Sequence, residues 1–141
     1  MIIFLKKKTF TNFVITNSNH IIIECKVNSV TGKFIIDTGA SNSCINYFSA
    51  SKFNVEFKKS NEKASSATNE INETYYSKNN KLKIGDFQKK HFDLVLFDMT
   101  FINNSLEEKG VSEVDGIIGS DILNQSNACI DYKKKEISLE F

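Results

Sequence analysis

The chain has 141 residues, of which 40% are hydrophobic and 25% charged, with a formal net charge of +1. That length fits one domain, residues 1–141, and that charge balance gives no pull towards nucleic acid or a membrane surface. No segment approaches the ~20 apolar residues that span a bilayer.

Residues 1–4 are a very short apolar stretch, and Lys6, Lys7 and Lys8 follow it. A secretory leader has the opposite order and a longer apolar region, so a cytoplasmic protein is expected. Residues 1–5 and Phe13-Val14-Ile15 are candidate first strands. Residues 21–27 are β-branched and half alternating, which predicts a strand. Residues 28–33 supply turn chemistry, with Gly32 free to take a positive φ. Phe34-Ile35-Ile36 then returns as the second strand of a hairpin and ends at Asp37.

Residues 46–53 are expected to hold a short helix, followed by Val55-Glu56-Phe57. Residues 58–73 are polar and rich in small side chains, so they have little apolar area to bury. Thr74-Tyr75-Tyr76 reads as a strand returning from that segment. Leu82-Lys83-Ile84 alternates and Gly85-Asp86 turns the chain. Residues 92–97 form another strand, and residues 106–109 a helical turn stopped by Gly110. Ile117-Ile118 is a short buried strand that passes through Gly119 into a helix with Ile122 and Leu123 inward. Residues 128–132 and 136–141 flank the solvated run Lys133-Lys134-Lys135 as a terminal hairpin. Many short strands with turn signals predict a mostly β fold, a small closed barrel with one or two short helices.

The most informative residues are Ile35-Ile36-Asp37-Thr38-Gly39-Ala40-Ser41. A rigid apolar strand delivers one carboxylate into a turn that a glycine permits. This string resembles the active-site signature of aspartic proteases. The block from Asp115 to Leu123 resembles the apolar–apolar–glycine strand and helix that pass beneath the catalytic turn in that family. A single copy of each block in a short chain resembles the retropepsin-like, or retroviral-protease-like, branch in its single-lobe bacterial and cellular form.

The resemblance implies an acid-protease-type β-barrel. It implies a homodimer through the active-site axis, in which two chains each supply one aspartate, and an extended polypeptide as substrate. It implies no metal and no cofactor. Asp37 matches the catalytic aspartate. Thr38 matches a threonine that braces the partner's loop, Gly39 a glycine that lets substrate backbone lie close, and Ala40 completes the turn. Ser41, Cys44, Ile117 and Ile118 fall where the family binds substrate, although Cys44 taken by itself reads as a buried small hydrophobe. Residues 64–69, with Ser66, Ala67 and Thr68 at their centre, fall where it has a mobile flap. Retroviral members usually carry an aspartate and an arginine where this chain has Ser41 and Ser120, and the flap here lacks glycine. The joint loss of both charges leaves neither unpaired.

Paired aspartates hydrolyse a peptide bond by sharing one proton, since two like charges at close range do not both ionise. One takes a proton from water and the other gives one to the substrate oxygen. The alternative reading is a non-catalytic relative that keeps the barrel as a peptide-binding or dimerisation module. Asp115 also precedes a glycine, but no threonine or exposed turn follows it, so it reads as a turn-forming acid. Tyr75 and Tyr76 read as strand residues. His20 and His91 are isolated and point to no metal site. Cys25, Cys44 and Cys129 are odd in number and widely spaced, which fits reduced thiols rather than a disulfide framework.

Overall fold

The computed structural model describes residues 5–65 and 71–141. In chain order the strands are β1 (Lys8–Asn12), β2 (Val14–Ile15), β3 (Ile21–Val27), β4 (Val30–Ile36) and β5 (Cys44–Asn46). A single 3-10 turn, Tyr47–Ser49, precedes β6 (Lys58–Ser65), β7 (Ile71–Ile84) and β8 (Phe87–Phe97). Helix α1 (Thr100–Glu108), β9 (Gly116–Ile118), helix α2 (Ser120–Gln125), β10 (Cys129–Asp131) and β11 (Glu136–Glu140) complete the chain.

The large sheet runs β2-β3-β4-β9-β5-β8-β7-β6, and an added pairing of β3 with β7 closes six of these strands into a barrel. The expected closed β-barrel with one or two short helices is the observed fold, and the helices number two among the described residues. A second sheet, β1-β11-β10, packs against it and sends Ile137 and Leu139 into the main core.

The β3–β4 hairpin is tighter than its sequence implied. Its turn is two residues, Asn28 and Ser29, with φ of 50° and 70°. Paired positive φ values match the twist of antiparallel strands. The Asn28 side chain secures the turn by donating to Phe53 O at 2.9 Å and accepting from Lys81 N at 2.9 Å. Gly32 therefore lies within β4 rather than in the turn and does not use its freedom to take a positive φ. Its need for glycine is one of space: a Cβ there would stand 2.5 Å from the Phe53 ring and 2.9 Å from the Asp115 carboxylate.

Alternation along β4 sends Phe34 and Ile36 into the barrel with Ile45, Leu96, Ile118 and Ile122. Ile35 points the other way. It joins Cys44, Met99, Leu106, Val114 and Ile117 in a second buried cluster that α1 covers. The sequence predicted only the last turn of this helix. The rest was hidden because its inward face includes a polar residue, Asn103. That side chain is buried and satisfied, accepting from Val114 N at 2.9 Å and donating to Val114 O at 3.2 Å. Gly110, at φ 73°, ends the helix as expected. The polar centre of β7 hid a strand in the same way: Asn80 is buried there and donates to Ser77 Oγ at 2.9 Å.

Candidate active site

Strands β4 and β9 run parallel, with Phe34 opposite Gly116 and Ile36 opposite Ile118. Asp37 extends this ladder by one bond, its N–H donating to Ile118 O at 3.0 Å. The chain then turns back: Ala40 N donates to Asp37 O at 3.2 Å. Gly39 N donates to Asp37 Oδ1 at 2.9 Å, which fixes one oxygen of the carboxylate. A Cβ on Gly39 would lie 3.3 Å from that oxygen, so the glycine keeps the acid uncrowded. Asp37, Thr38, Gly39 and Ser41 are exposed, while Ala40 is half-buried.

The turn rests on the segment that leaves β9. Ser120 N donates to Ala40 O at 2.7 Å. Gly119 N donates to Ser43 Oγ at 2.9 Å, and Ser43 Oγ donates to Asp121 Oδ1 at 2.7 Å. Asp121 Oδ2 also accepts from Ser43 N at 3.0 Å. Ser43 is buried at 1% exposure, so its hydroxyl must donate and accept within the protein, and it does both. Ser43 and Asp121 were missed in the sequence. The available signal was a hydroxyl residue just after the aspartate turn and an acid in the first turn of the helix after Gly119.

Asp37 and Ile117 line one open cavity of about 320 Å³, together with His20, Ile21, Ile35, Ile102 and Tyr132. Cys44 and Ile118 also stand at the turn, but their side chains are 5% and 1% exposed and are not among those lining the cavity. Ile118 serves the turn through its carbonyl. Ser66, Ala67 and Thr68 lie outside the described residues; the strand pairs Ser65–Ile71 and Ala64–Asn72 bracket them. Tyr75 sits in β7 against Tyr47, at 4.9 Å between ring centroids, and Phe57, at 5.3 Å.

Burial pushes the Cys44 thiol up to about 12, and the negative charges of Asp121 and Asp37 act in the same direction, against a hydrogen bond to the Ile117 backbone. Burial also pushes Cys25 up, whereas Cys129 is exposed. A thiol that stays protonated is a poor nucleophile. In the native protein at pH 8, a thiol reagent should therefore modify Cys129 and spare Cys25 and Cys44. Native-state labelling located by mass spectrometry checks this, and rapid modification of Cys44 would contradict the burial.

Asp115 lies beside Lys33 at the other end of the β4–β9 ladder from Asp37. Its carboxylate accepts from Lys33 N at 3.0 Å, Lys52 Nζ at 3.0 Å and Ser49 Oγ at 3.1 Å. It holds strands together rather than facing the cavity. Asp115→Ala should lower stability by about 1 kcal/mol, since the Lys33 and Lys52 donors it releases are exposed to water and only Ser49 Oγ is partly buried. Denaturant unfolding measures that loss, and an unchanged midpoint would remove Asp115 from the account of the fold.

Among the described residues, no cluster of three or more His, Cys, Asp or Glu is placed to hold a metal. Nor is any helix among them long and apolar enough to cross a membrane.

Similar folds occur in solved structures. A retropepsin-like aspartic protease from Rickettsia conorii superposes with a TM-score of 0.62 at 18% identity, covering 100% of this chain and 98% of its own. The retroviral protease-like domain of Ddi1 from Leishmania major gives 0.58 at 18% identity, covering 85% and 87%. EIAV protease, in complex with the inhibitor HBY-793, gives 0.58 at 15% identity, covering 78% and 90%. No curated protein matches the chain in sequence. Residues 23–122, from within β3 to within α2, match the aspartyl protease family over well more than half of the sequence. The chain belongs to the aspartyl protease family.

Proposed function

We propose that this protein is a homodimeric aspartic endopeptidase in which each chain contributes one Asp37 to a shared dyad. The observation that carries this reading is the exposed carboxylate of Asp37 at the wall of the cavity. Gly39 N–H clamps one of its oxygens, and the turn that holds it is braced from below by β9 and α2. Two such turns meeting on a two-fold axis would bring two carboxyl groups to one proton.

In this mechanism the ionised carboxylate takes a proton from a bound water. The water oxygen attacks the peptide carbonyl carbon while the protonated partner donates to the carbonyl oxygen. The tetrahedral species collapses as the amine leaves with a proton from the dyad. The Ser43–Asp121–Gly119 network supplies rigidity, because a turn that shifts by an ångström would misplace both acids. Substrate would lie extended between the subunits, pairing its main chain with strand edges and filling apolar pockets with side chains. The three free cysteines fit a reducing, cytoplasmic setting.

The test is cleavage of a peptide pool by the wild type and by Asp37→Asn. Products that appear with the first and vanish with the second support the proposal. Tight peptide binding with no cleavage by the wild type would instead favour a non-catalytic binding module.

A further inference from the structure

The cavity beside Asp37 is not purely apolar. Continuing the β3–β4 register one residue beyond the Ile21–Ile36 pair sets His20 next to Asp37, and both side chains line the cavity. The tight turn before β3 holds this histidine. Thr16 N donates to His20 O at 3.0 Å, and His20 N donates to Thr16 Oγ1 at 3.1 Å. The Ser18 hydroxyl lies 2.7 Å from both Thr16 Oγ1 and His20 Nδ1. Nδ1 is thus occupied, and no described residue bonds Nε2. Asn19, at φ 63°, completes the turn at the cavity rim.

We propose that His20 determines specificity at this pocket by selecting a tyrosine side chain next to the scissile bond. The inference rests on the endopeptidase reading and goes on to name the substrate residue. The walls are the aliphatic side chains of Ile35, Ile102 and Ile117, with the exposed Tyr132 ring at one side. They suit a flat apolar body that can meet an aromatic edge. The remaining imidazole nitrogen is a donor or an acceptor according to tautomer, and a phenol hydroxyl is both, so tyrosine pairs with either form. A carboxylate tip would face the charge of Asp37. An ammonium tip would pair with Asp37 and occupy the group that must activate water. Phenylalanine fills the same walls but leaves the ring nitrogen without a substrate partner.

The experiment compares two peptides that differ only by Tyr or Phe at the residue flanking the cleaved bond. One neutral hydrogen bond corresponds to a preference of about fivefold to tenfold in kcat/KM for tyrosine in the wild type. In His20→Leu the ratio should fall to about one. In His20→Gln, which keeps a donor and an acceptor, a preference for tyrosine should persist. Each ratio is taken within one variant, so a general loss of activity cancels. Ser18→Ala, which frees Nδ1 from its brace, should give a ratio between those of the wild type and His20→Leu. A wild type that cleaves both peptides equally, or a preference that survives His20→Leu, would overturn the role of His20 and leave the endopeptidase reading standing. A wild type that cleaves neither of these nor any peptide of a mixed pool would overturn both.

Discussion

Asp37→Asn should lower peptide cleavage by about a thousandfold or more, because an amide can neither take a proton from water nor share one with a second acid. The fold should survive. Asp37 is exposed, and the replacement keeps an oxygen at the position that accepts from Gly39 N–H. Exposed, nearly isosteric changes of this kind shift stability by about 0.5 kcal/mol or less. Far-UV circular dichroism and thermal unfolding should therefore match the wild type. Dimerisation should hold or tighten, since two acids on an axis repel and two amides do not. Loss of activity with loss of structure would assign Asp37 a structural role instead.

Gly119→Ala should cripple the proposed activity from beneath the Asp37 turn. Gly119 has φ −102° and ψ −171°, an extended conformation open to any residue, so the penalty is purely one of space. A Cβ would stand 2.6 Å from Ala40 O and 3.1 Å from the Asn42 carbonyl. These are backbone atoms and cannot swing aside. The same two segments are joined by Ser120 N to Ala40 O and by Gly119 N to Ser43 Oγ. Relief of the clash must therefore push the Asp37 turn away from α2. Overpacking of this kind costs about 1–3 kcal/mol of stability. Activity should fall by about a hundredfold at a temperature where the variant is still folded, because a displacement of about an ångström misplaces the carboxylate. Unfolding midpoints and kcat/KM measured side by side separate the two effects. Unchanged activity in a folded variant would show that the turn does not depend on this contact.

What could be read from the sequence was whatever apolar pattern and turn chemistry write plainly. Strand β3, the end of β4 at Asp37, the Ile117-Ile118-Gly119 passage, α2 and the terminal hairpin all carry continuous or alternating apolar residues. Strand β1 does not. Its sequence, Lys-Thr-Phe-Thr-Asn, buries Thr9 and leaves Phe10 exposed, the reverse of what hydropathy predicts. That inversion works because Thr9 Oγ1 accepts from Asp86 N at 3.0 Å in the β7–β8 turn. Helix α1 and the middle of β7 were hidden by buried asparagines, Asn103 and Asn80, whose polar groups are satisfied inside the fold by Val114 and by Ser77 and Asn28. Gly32 was read as a turn residue when its neighbours, Phe53 and Asp115, come from other parts of the chain.

The same division runs through the candidate site. The aspartate turn is local, so a seven-residue string displays it. Ser43 and Asp121 act across 78 positions, and a hydroxyl and an acid so far apart in sequence announce nothing. His20 lies next to a legible strand, but only the pairing of β3 with β4 brings it beside Asp37.

The claim that two chains share one dyad is tested most directly by mixing wild type with Asp37→Asn at fixed total protein and allowing the subunits to exchange. If pairing is random, only wild-type pairs hold two acids, and activity should follow the square of the wild-type fraction, about one quarter at an equal mixture. Activity proportional to the wild-type fraction, about one half at an equal mixture, would mean that each chain works alone and would contradict the shared dyad.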